Sequence, residues 1–183
     1  MSWGRKVAFQ SGLVVAFLSA LLAAWAIFTQ QFWWVVVATV VADYRPPEGR
    51  AAPVLTPAAE PLLVRADHHK LQQAVLNILS NAYKYSPDGG AVTLRVKPVQ
   101  ATKLLIEVSD QGIGIPPADQ PNLFESFHRA SNVGNIAGTG LGLSIVRDAV
   151  ECHRGTISLH SAAGQGSCFT VMLEAPPADT GNT

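Results

Sequence analysis

Regularly spaced polar side chains mark residues 67–86, whose sequence is DHHKLQQAVLNILSNAYKYS. In a helix, spacings of four, four and three residues place four of them on one face: Gln73, Asn77, Asn81 and Lys84. Asparagine is a mediocre helix former, because its amide competes for backbone hydrogen bonds. Two of them one turn apart therefore favour a functional surface over a merely solvated one. We expect the carboxamides to hold a hard cation, which takes oxygen ligands, or an activated water.

Two glycine-containing loops supply further candidate chemistry. Asp110 begins a D-x-G-x-G pattern, in which Gly112 and Gly114 would let the backbone approach a flat ligand closely. Asp110 itself could accept a hydrogen bond from an exocyclic amine. A tight turn with a capping aspartate remains an alternative for this loop.

The second loop is GTGLG, residues 138–142, and it directly precedes a predicted helix. Backbone N–H groups at such a position, together with the positive end of the helix dipole, form an anion site. The pattern lacks the lysine of a P-loop and is not the G-x-G-x-x-G pattern that follows a strand. Taken alone, it indicates a phosphate-binding loop.

The elements that must position these residues can be predicted from periodicity and from turn residues. The 67–86 helix has an apolar face consisting of Leu71, Val75, Ile78, Leu79 and Ala82, and it begins after Asp67, which suits an N-cap. Further helices are predicted over residues 121–127 and 140–153, and strands over residues 54–55, 62–64, 92–97, 104–108, 156–160 and 167–173. This order predicts an α+β fold: a two-layer sandwich with one mostly antiparallel sheet and helices on one face.

The hydrophobic content is 48% over the 183 residues, and its excess over an ordinary globular composition comes mostly from the first 42 residues. Residues 12–29 carry no charge, which predicts one N-terminal transmembrane helix, with a secretory signal peptide as the competing interpretation. We read residues 35–44 as the first helix of the globular domain. The formal net charge is zero, so nothing indicates a nucleic-acid partner.

Four motifs in order resemble the catalytic, ATP-binding domain of bacterial sensor histidine kinases, within the gyrase and histidine-kinase (GHKL) ATPase superfamily. They are the N box at residues 67–86, the first glycine box DQGIGIP at 110–116, LFESFHRA at 123–130, and GTGLGLSIV at 138–146. The resemblance implies a Bergerat-type fold with a mixed sheet. It also implies a mobile lid over residues 129–137, which orders on binding.

The resemblance implies ATP and Mg²⁺ as ligands and assigns roles to individual residues. Asn81 would bind the metal, Asn77 and Lys84 would lie at the phosphates, Tyr85 would stack on adenine, Asp110 would bond the adenine amine, and Arg129 would reach the γ-phosphate. We therefore expect Asn77, Lys84 and Arg129 to be catalytic. The full predicted nucleotide site is Asn77, Asn81, Lys84, Tyr85, Asp110, Gly112, Gly114, Ile115, Phe127, Arg129, Gly138, Thr139, Gly140, Leu141, Gly142 and Leu143. His128, between Phe127 and Arg129, is interpreted as structural.

The resembled family transfers phosphate to a histidine in an H-[DE]-x-[RK]-x-P pattern, which none of the five histidines here matches. We therefore predict no self-phosphorylation: another chain supplies the acceptor, or the gene is a truncated kinase. We expect residues 1–31 to form the membrane segment, residues 32–175 the ATP-binding domain in the cytoplasm at the inner membrane, and residues 176–183 a disordered tail. A response regulator would act downstream. A non-catalytic ATP-binding module and an anti-sigma-type serine kinase remain alternatives.

Overall fold

The computed structural model describes residues 44–56, 66–87, 89–100 and 103–174. Outside these ranges lie the predicted transmembrane segment 12–29, the predicted strand 62–64, the tail 176–183 and all but the last residue of the helix predicted over 35–44. Within the described ranges, no helix is both long and apolar enough to cross a membrane.

Two helices and a five-stranded sheet make up the described part of the fold. They are β1 (Val54–Thr56), α1 (His68–Lys84), β2 (Thr93–Gln100), β3 (Lys103–Ser109), α2 (Gly142–Cys152), β4 (Thr156–Ser161) and β5 (Ser167–Glu174). The strand order is β1-β2-β3-β5-β4, with β1 parallel to β2 and every other pair antiparallel. The predicted α+β sandwich is confirmed, and the sheet is mixed, as the resemblance implied.

Helix α1 follows its predicted amphipathic pattern. All five residues of its predicted apolar face are buried, together with Ala74 and Tyr83. The carboxylate of Asp67 accepts hydrogen bonds from the N–H groups of His69 (3.0 Å) and Lys70 (3.2 Å), which confirms it as the N-cap. The helix ends at Lys84, two positions before Ser86, because the residue before a proline is disfavoured in helical conformation and Pro87 follows.

The core lies between the helices and the inner face of the sheet. On β3 and β5 the buried side chains face each other in register: Leu104 with Leu173, Ile106 with Val171, and Val108 with Phe169. Each such side chain contributes about 1.5–3 kcal/mol when removed from water. Because α1 and α2 both pack on this face, the polar side of α1 is turned toward the start of α2.

Two predicted helices differ from the structure. No α-helix covers residues 121–127; a 3-10 turn spans Gln120–Asn122, and Phe127 has a φ of 66°, outside the right-handed helical region. Helix α2 begins at Gly142 rather than at residue 140, because Gly140 adopts a φ of +74° that helical residues do not have. It ends one residue before the predicted 153.

Candidate functional site

A cavity of about 470 Å³ lies between α1, the first glycine box, the loop after residue 127 and the start of α2. This volume is typical of small-molecule sites. Most of the residues predicted to bind a nucleotide line it, namely Asn77, Asn81, Lys84, Tyr85, Asp110, Gly114, Ile115, Arg129, Gly138, Thr139, Gly140, Leu141, Gly142 and Leu143. The cavity is not lined by the predicted residues Gly112 and Phe127, nor by the exposed Gln73.

The two carboxamides of α1 meet the first residue of α2 across an open space. A Cβ atom on Gly142 would lie 3.8 Å from both Asn77 Oδ1 and Asn81 Nδ2, so the absence of a side chain keeps this space free. Asn77 Nδ2 is buried and has no hydrogen-bond partner among the described residues. Each amide offers an oxygen for a hard cation and an NH₂ group for a phosphate oxygen or a metal-bound water. The residues present therefore fit a Mg²⁺–phosphate group.

The N-terminus of α2 offers free donors to an anion. Its N-cap, Leu141, makes no side-chain capping bond, so the first N–H groups of the helix have no side-chain acceptor among the described residues. Lys84 lies beside this loop: its ammonium group occupies the place where a Cβ on Gly138 would be, and it would have to move for a side chain there. The same ammonium lies 4.9 Å from the ring centroid of Tyr85. Positive charge and backbone N–H groups thus converge at one end of the cavity.

Asp110 lies at the other end of the cavity and is only 7% exposed. Its Oδ1 accepts hydrogen bonds from the N–H groups of Gly112 (2.8 Å) and Ser167 (3.3 Å). Burial raises the pKa of this carboxyl above its ordinary value, and the two backbone donors and the Ser86 hydroxyl oppose that shift. Both backbone hydrogen bonds are made to Oδ1, and the Ser86 hydroxyl lies beside the same carboxylate.

Gly112 lies behind the cavity wall and packs against the end of α1. A side chain there would collide with the backbone carbonyl of Tyr85, which accepts a hydrogen bond from the N–H of Ile113 at 2.9 Å. The missing Cβ therefore lets the glycine loop pack directly on the end of α1. Its contribution is close backbone packing, in contrast to the ligand contact predicted from sequence.

Phe127 lies outside the cavity, and its side chain is 74% exposed. Its backbone N–H donates a 3.0 Å hydrogen bond to the carbonyl of Gly140. Phe127 thus does not line the cavity in this structure, and its contact with a nucleotide stays a prediction. The residue joins the segment before the lid to the GTGLG loop through its backbone.

The predicted lid, residues 129–137, makes side-chain bonds both within itself and to neighbouring loops. The guanidinium of Arg129 donates to the carbonyl of Ile136, and Asn132 Nδ2 donates to the carbonyl of Gly114 at 2.9 Å. Asp119 accepts two hydrogen bonds from Ser131, and these lower the pKa of its carboxyl. Arg129 is thus at the cavity, but its guanidinium is bonded to the lid itself.

Sequence reasoning missed the apolar residues that form the floor of the cavity, and it missed the polar residues His128 and Ser167, which also line it. The additional lining residues are Ile113, Leu123, His128, Ala130, Val133, Ile145, Ser167 and Phe169. Side chains alternate between the two faces of β5, and this alternation could have predicted that Phe169 points inward. It also places Ser167, two residues earlier, on the same face. His128, interpreted as structural, lines the cavity, and its buried Nε2 has no partner within the described chain.

The geometry defines a nucleotide site on a two-layer sandwich, and comparison with known proteins identifies its class. Residues 66–177 match the family model described as histidine kinase-, DNA gyrase B- and HSP90-like ATPase, and the chain belongs to this family. More particularly, these residues are the catalytic, ATP-binding domain of a sensor histidine kinase.

Relatives of known sequence are themselves named as sensor kinases. The chain is 46% identical over 114 residues to the sensor histidine kinase TmoS of Ectopseudomonas mendocina, covering 61% of this chain and 12% of TmoS. It is 42% identical over 115 residues to the sensor histidine kinase WalK of Bacillus subtilis, covering 61% of this chain and 19% of WalK. The chain thus spans only a small part of these relatives.

Solved structures show the same likeness. The mycobacterial sensor histidine kinase MprB superposes with a TM-score of 0.61 at 34% identity, covering 68% of this chain and 83% of that one. Full-length ShkA in complex with AMPPNP superposes with a TM-score of 0.65 at 26% identity, covering 79% of this chain and 30% of ShkA.

Proposed function

We propose that this domain binds Mg·ATP and donates the γ-phosphoryl group to a histidine of another domain in two-component signalling. The observation that carries the proposal is the amide face of α1, which meets the start of α2 across the space kept open by Gly142. Asn77 Nδ2, buried without a partner among the described residues, has its natural acceptor in a phosphate oxygen. The AMPPNP complex of the ShkA neighbour supports the nucleotide class.

The two ends of the cavity suit the two ends of ATP. At the buried end, Asp110 would accept the adenine amine. The ring of Tyr85, which extends toward Gly138 beside the Lys84 ammonium, would stack on the base. At the other end, Lys84, Arg129 and the free N–H groups of α2 would neutralise and orient the triphosphate. Mg²⁺, held by Asn81 with Asn77 beside it, would neutralise charge on the phosphate oxygens when bound.

Phosphoryl transfer requires positioning and charge neutralisation more than covalent chemistry by the protein. The bond between the γ-phosphorus and the β,γ-bridging oxygen breaks, a phosphorus–nitrogen bond to the acceptor imidazole forms, ADP leaves, and the imidazole loses a proton. Lys84 and Arg129 would hold the γ-phosphoryl group for this attack. The apolar floor, which includes Leu123 and Phe169, excludes water from the adenine end.

We further propose that the acceptor histidine lies outside these 183 residues, that a response regulator acts downstream, and that residues 12–29 anchor the chain in the inner membrane with the ATP site in the cytoplasm. The absence of an H-[DE]-x-[RK]-x-P pattern and the uncharged run support these inferences. A non-catalytic ATP-binding module is the alternative that the missing acceptor pattern favours.

Labelled ATP tests the proposal. The full chain is incubated with γ-labelled ATP and Mg²⁺, with and without a separately purified helical-hairpin domain that carries an acceptor histidine. We expect acid-labile label on the hairpin domain and none on this chain. Acid-labile label on this chain alone would contradict the predicted dependence on a partner. Normal ATP binding with no transfer to any hairpin domain would support the non-catalytic alternative, and acid-stable phosphoserine on a partner would support a serine kinase.

A further inference from the structure

The segment 44–56 is clamped onto the end of α1 that carries the adenine contact. Arg50 donates a 2.6 Å hydrogen bond from Nη1 to the carbonyl of Ser86, and its Nη2 lies 3.4 Å from the carbonyl of Gly90. One guanidinium therefore bridges both sides of the turn that follows α1. Such a two-pronged donor arrangement is a property of arginine that lysine does not share.

Tyr83 provides a second attachment. The guanidinium of Arg50 lies 5.3 Å from the centroid of the Tyr83 ring, and the Tyr83 hydroxyl donates a 2.8 Å hydrogen bond to the carbonyl of Ala51. Burial raises the pKa of Tyr83 above its ordinary value, so the hydroxyl stays protonated and able to donate. Tyr44 stacks on the same ring at 5.5 Å between centroids. Tyr44, Arg50 and Ala51 of the segment thus all contact the side chain of Tyr83 in α1.

The clamp is directly connected to the cavity. Ser86, which Arg50 holds, is only 1% exposed and follows Tyr85, whose side chain lines the cavity. The carbonyl of Tyr85 accepts the N–H of Ile113, a residue of the first glycine box that also lines the cavity. A shift of the turn held by Arg50 would therefore move both walls of the adenine end together.

We propose that Arg50 is a positioning residue for the nucleotide site, and that the attachment of segment 44–56 to the end of α1 is coupled to nucleotide binding. This inference rests on the proposed ATP-binding function. Arg50 does not line the cavity, so its effect passes through Ser86 and Tyr85. Because coupling between two sites is reciprocal, nucleotide binding must in turn stabilise the clamped segment.

Variants of the full 183-residue chain in mild detergent, assayed well below their unfolding temperature, test the inference. Arg50→Met keeps the apolar stem and removes the donors, and Arg45→Met is the control, since Arg45 lies in the same segment but is exposed. We expect Arg50→Met to weaken ATP and ADP binding equally, by about fivefold or more, because the adenine end is common to both. Arg50→Lys should recover part of the loss, and Arg45→Met should bind like the wild type.

Hydrogen exchange distinguishes positioning from a merely structural role. The amide of Val54 donates to the carbonyl of Val92 at 2.9 Å and reports the attachment of the segment. ATP should slow exchange of this amide in the wild type and not in Arg50→Met. Unchanged nucleotide binding by folded Arg50→Met, or equal protection of Val54 in both proteins, would overturn the inference.

If Arg50→Met does not fold, Tyr83→Phe replaces it, with weakened binding as the supporting result and unchanged binding as the overturning one. Wild-type protein that bound no nucleotide would overturn both this inference and the proposed function.

Discussion

The carboxylate of Asp110 accepts a 2.8 Å hydrogen bond from the backbone N–H of Gly112 at the buried end of the cavity. This bond folds the first glycine box back on the strand that precedes it. It also fixes the orientation of the carboxylate, which lines the cavity. A buried charge at this position favours nucleotide binding at the expense of the stability of the empty domain.

Asp110→Asn is expected to separate these two effects. ATP binding should weaken at least about tenfold, since a charged acceptor is lost and such hydrogen bonds contribute about 1.5–3 kcal/mol. The empty domain should become more stable at pH 7. Calorimetric binding and urea unfolding measure the two effects, and Asp148→Asn, on the exposed side of α2, is the control.

The gain in folding stability expected for Asp110→Asn should depend on pH in a defined direction. The folded-state pKa of Asp110 is raised, so in the wild type the unfolded chain ionises first as pH rises. Folding stability is therefore lost between the ordinary aspartate pKa and the raised one. The advantage of Asp110→Asn should disappear below about pH 4. An advantage that persists at low pH would contradict the role of burial.

Gly112→Ala should destabilise the domain although Gly112 does not line the cavity. Its new Cβ would collide with the backbone carbonyl of Tyr85, which cannot move aside as a flexible side chain would. Overpacking of this kind costs about 1–3 kcal/mol. Urea unfolding measures the loss, and an unchanged midpoint would show that the loop does not pack on α1 as described.

Gly142→Ala should have the opposite pattern. Its Cβ would make only ordinary contacts at 3.8 Å, and alanine is favoured over glycine in a helix by about 1 kcal/mol, so stability should hold or rise. Mg·ATP binding should weaken, because the methyl group enters the space between Asn77 and Asn81. If neither Mg·ATP binding nor stability changed, the phosphate would not lie at this position.

Arg129→Met should change the discrimination between ATP and ADP. If the guanidinium leaves the carbonyl of Ile136 and meets the γ-phosphate, ATP affinity should fall about tenfold while ADP affinity changes little. The control is Lys97→Met, on the exposed side of β2. An equal loss of affinity for ATP and ADP would show that Arg129 does not contact the γ-phosphate.

Much of the fold was predictable because local periodicity agreed with tertiary packing. The apolar stripe of α1, the Asp67 cap and the alternation of β3 each follow from neighbouring residues. Other features depend on distant parts of the chain. The parallel pairing of β1 with β2, Val54 beside Thr93, joins segments almost 40 residues apart, and no local pattern specifies it.

The same distinction applies to the site. Asn77, Asn81 and Lys84 were predictable because helix geometry places them on one face. The outward direction of Phe127 was not, since it follows from a positive φ that is rare for a large side chain. Arg50 was not singled out either, because its partners follow it by 36 and 40 positions.

The most direct test of the central claim is calorimetric titration of the full chain with ATP, with and without Mg²⁺, in the wild type, in Asn81→Ala and in Gln73→Ala. Gln73 lies on the same face of α1 but outside the cavity, so its variant is the matched control. We expect magnesium-dependent uptake in the wild type and in Gln73→Ala, and loss of the magnesium dependence in Asn81→Ala. An Asn81→Ala variant that retained both the uptake and its metal requirement would contradict the account.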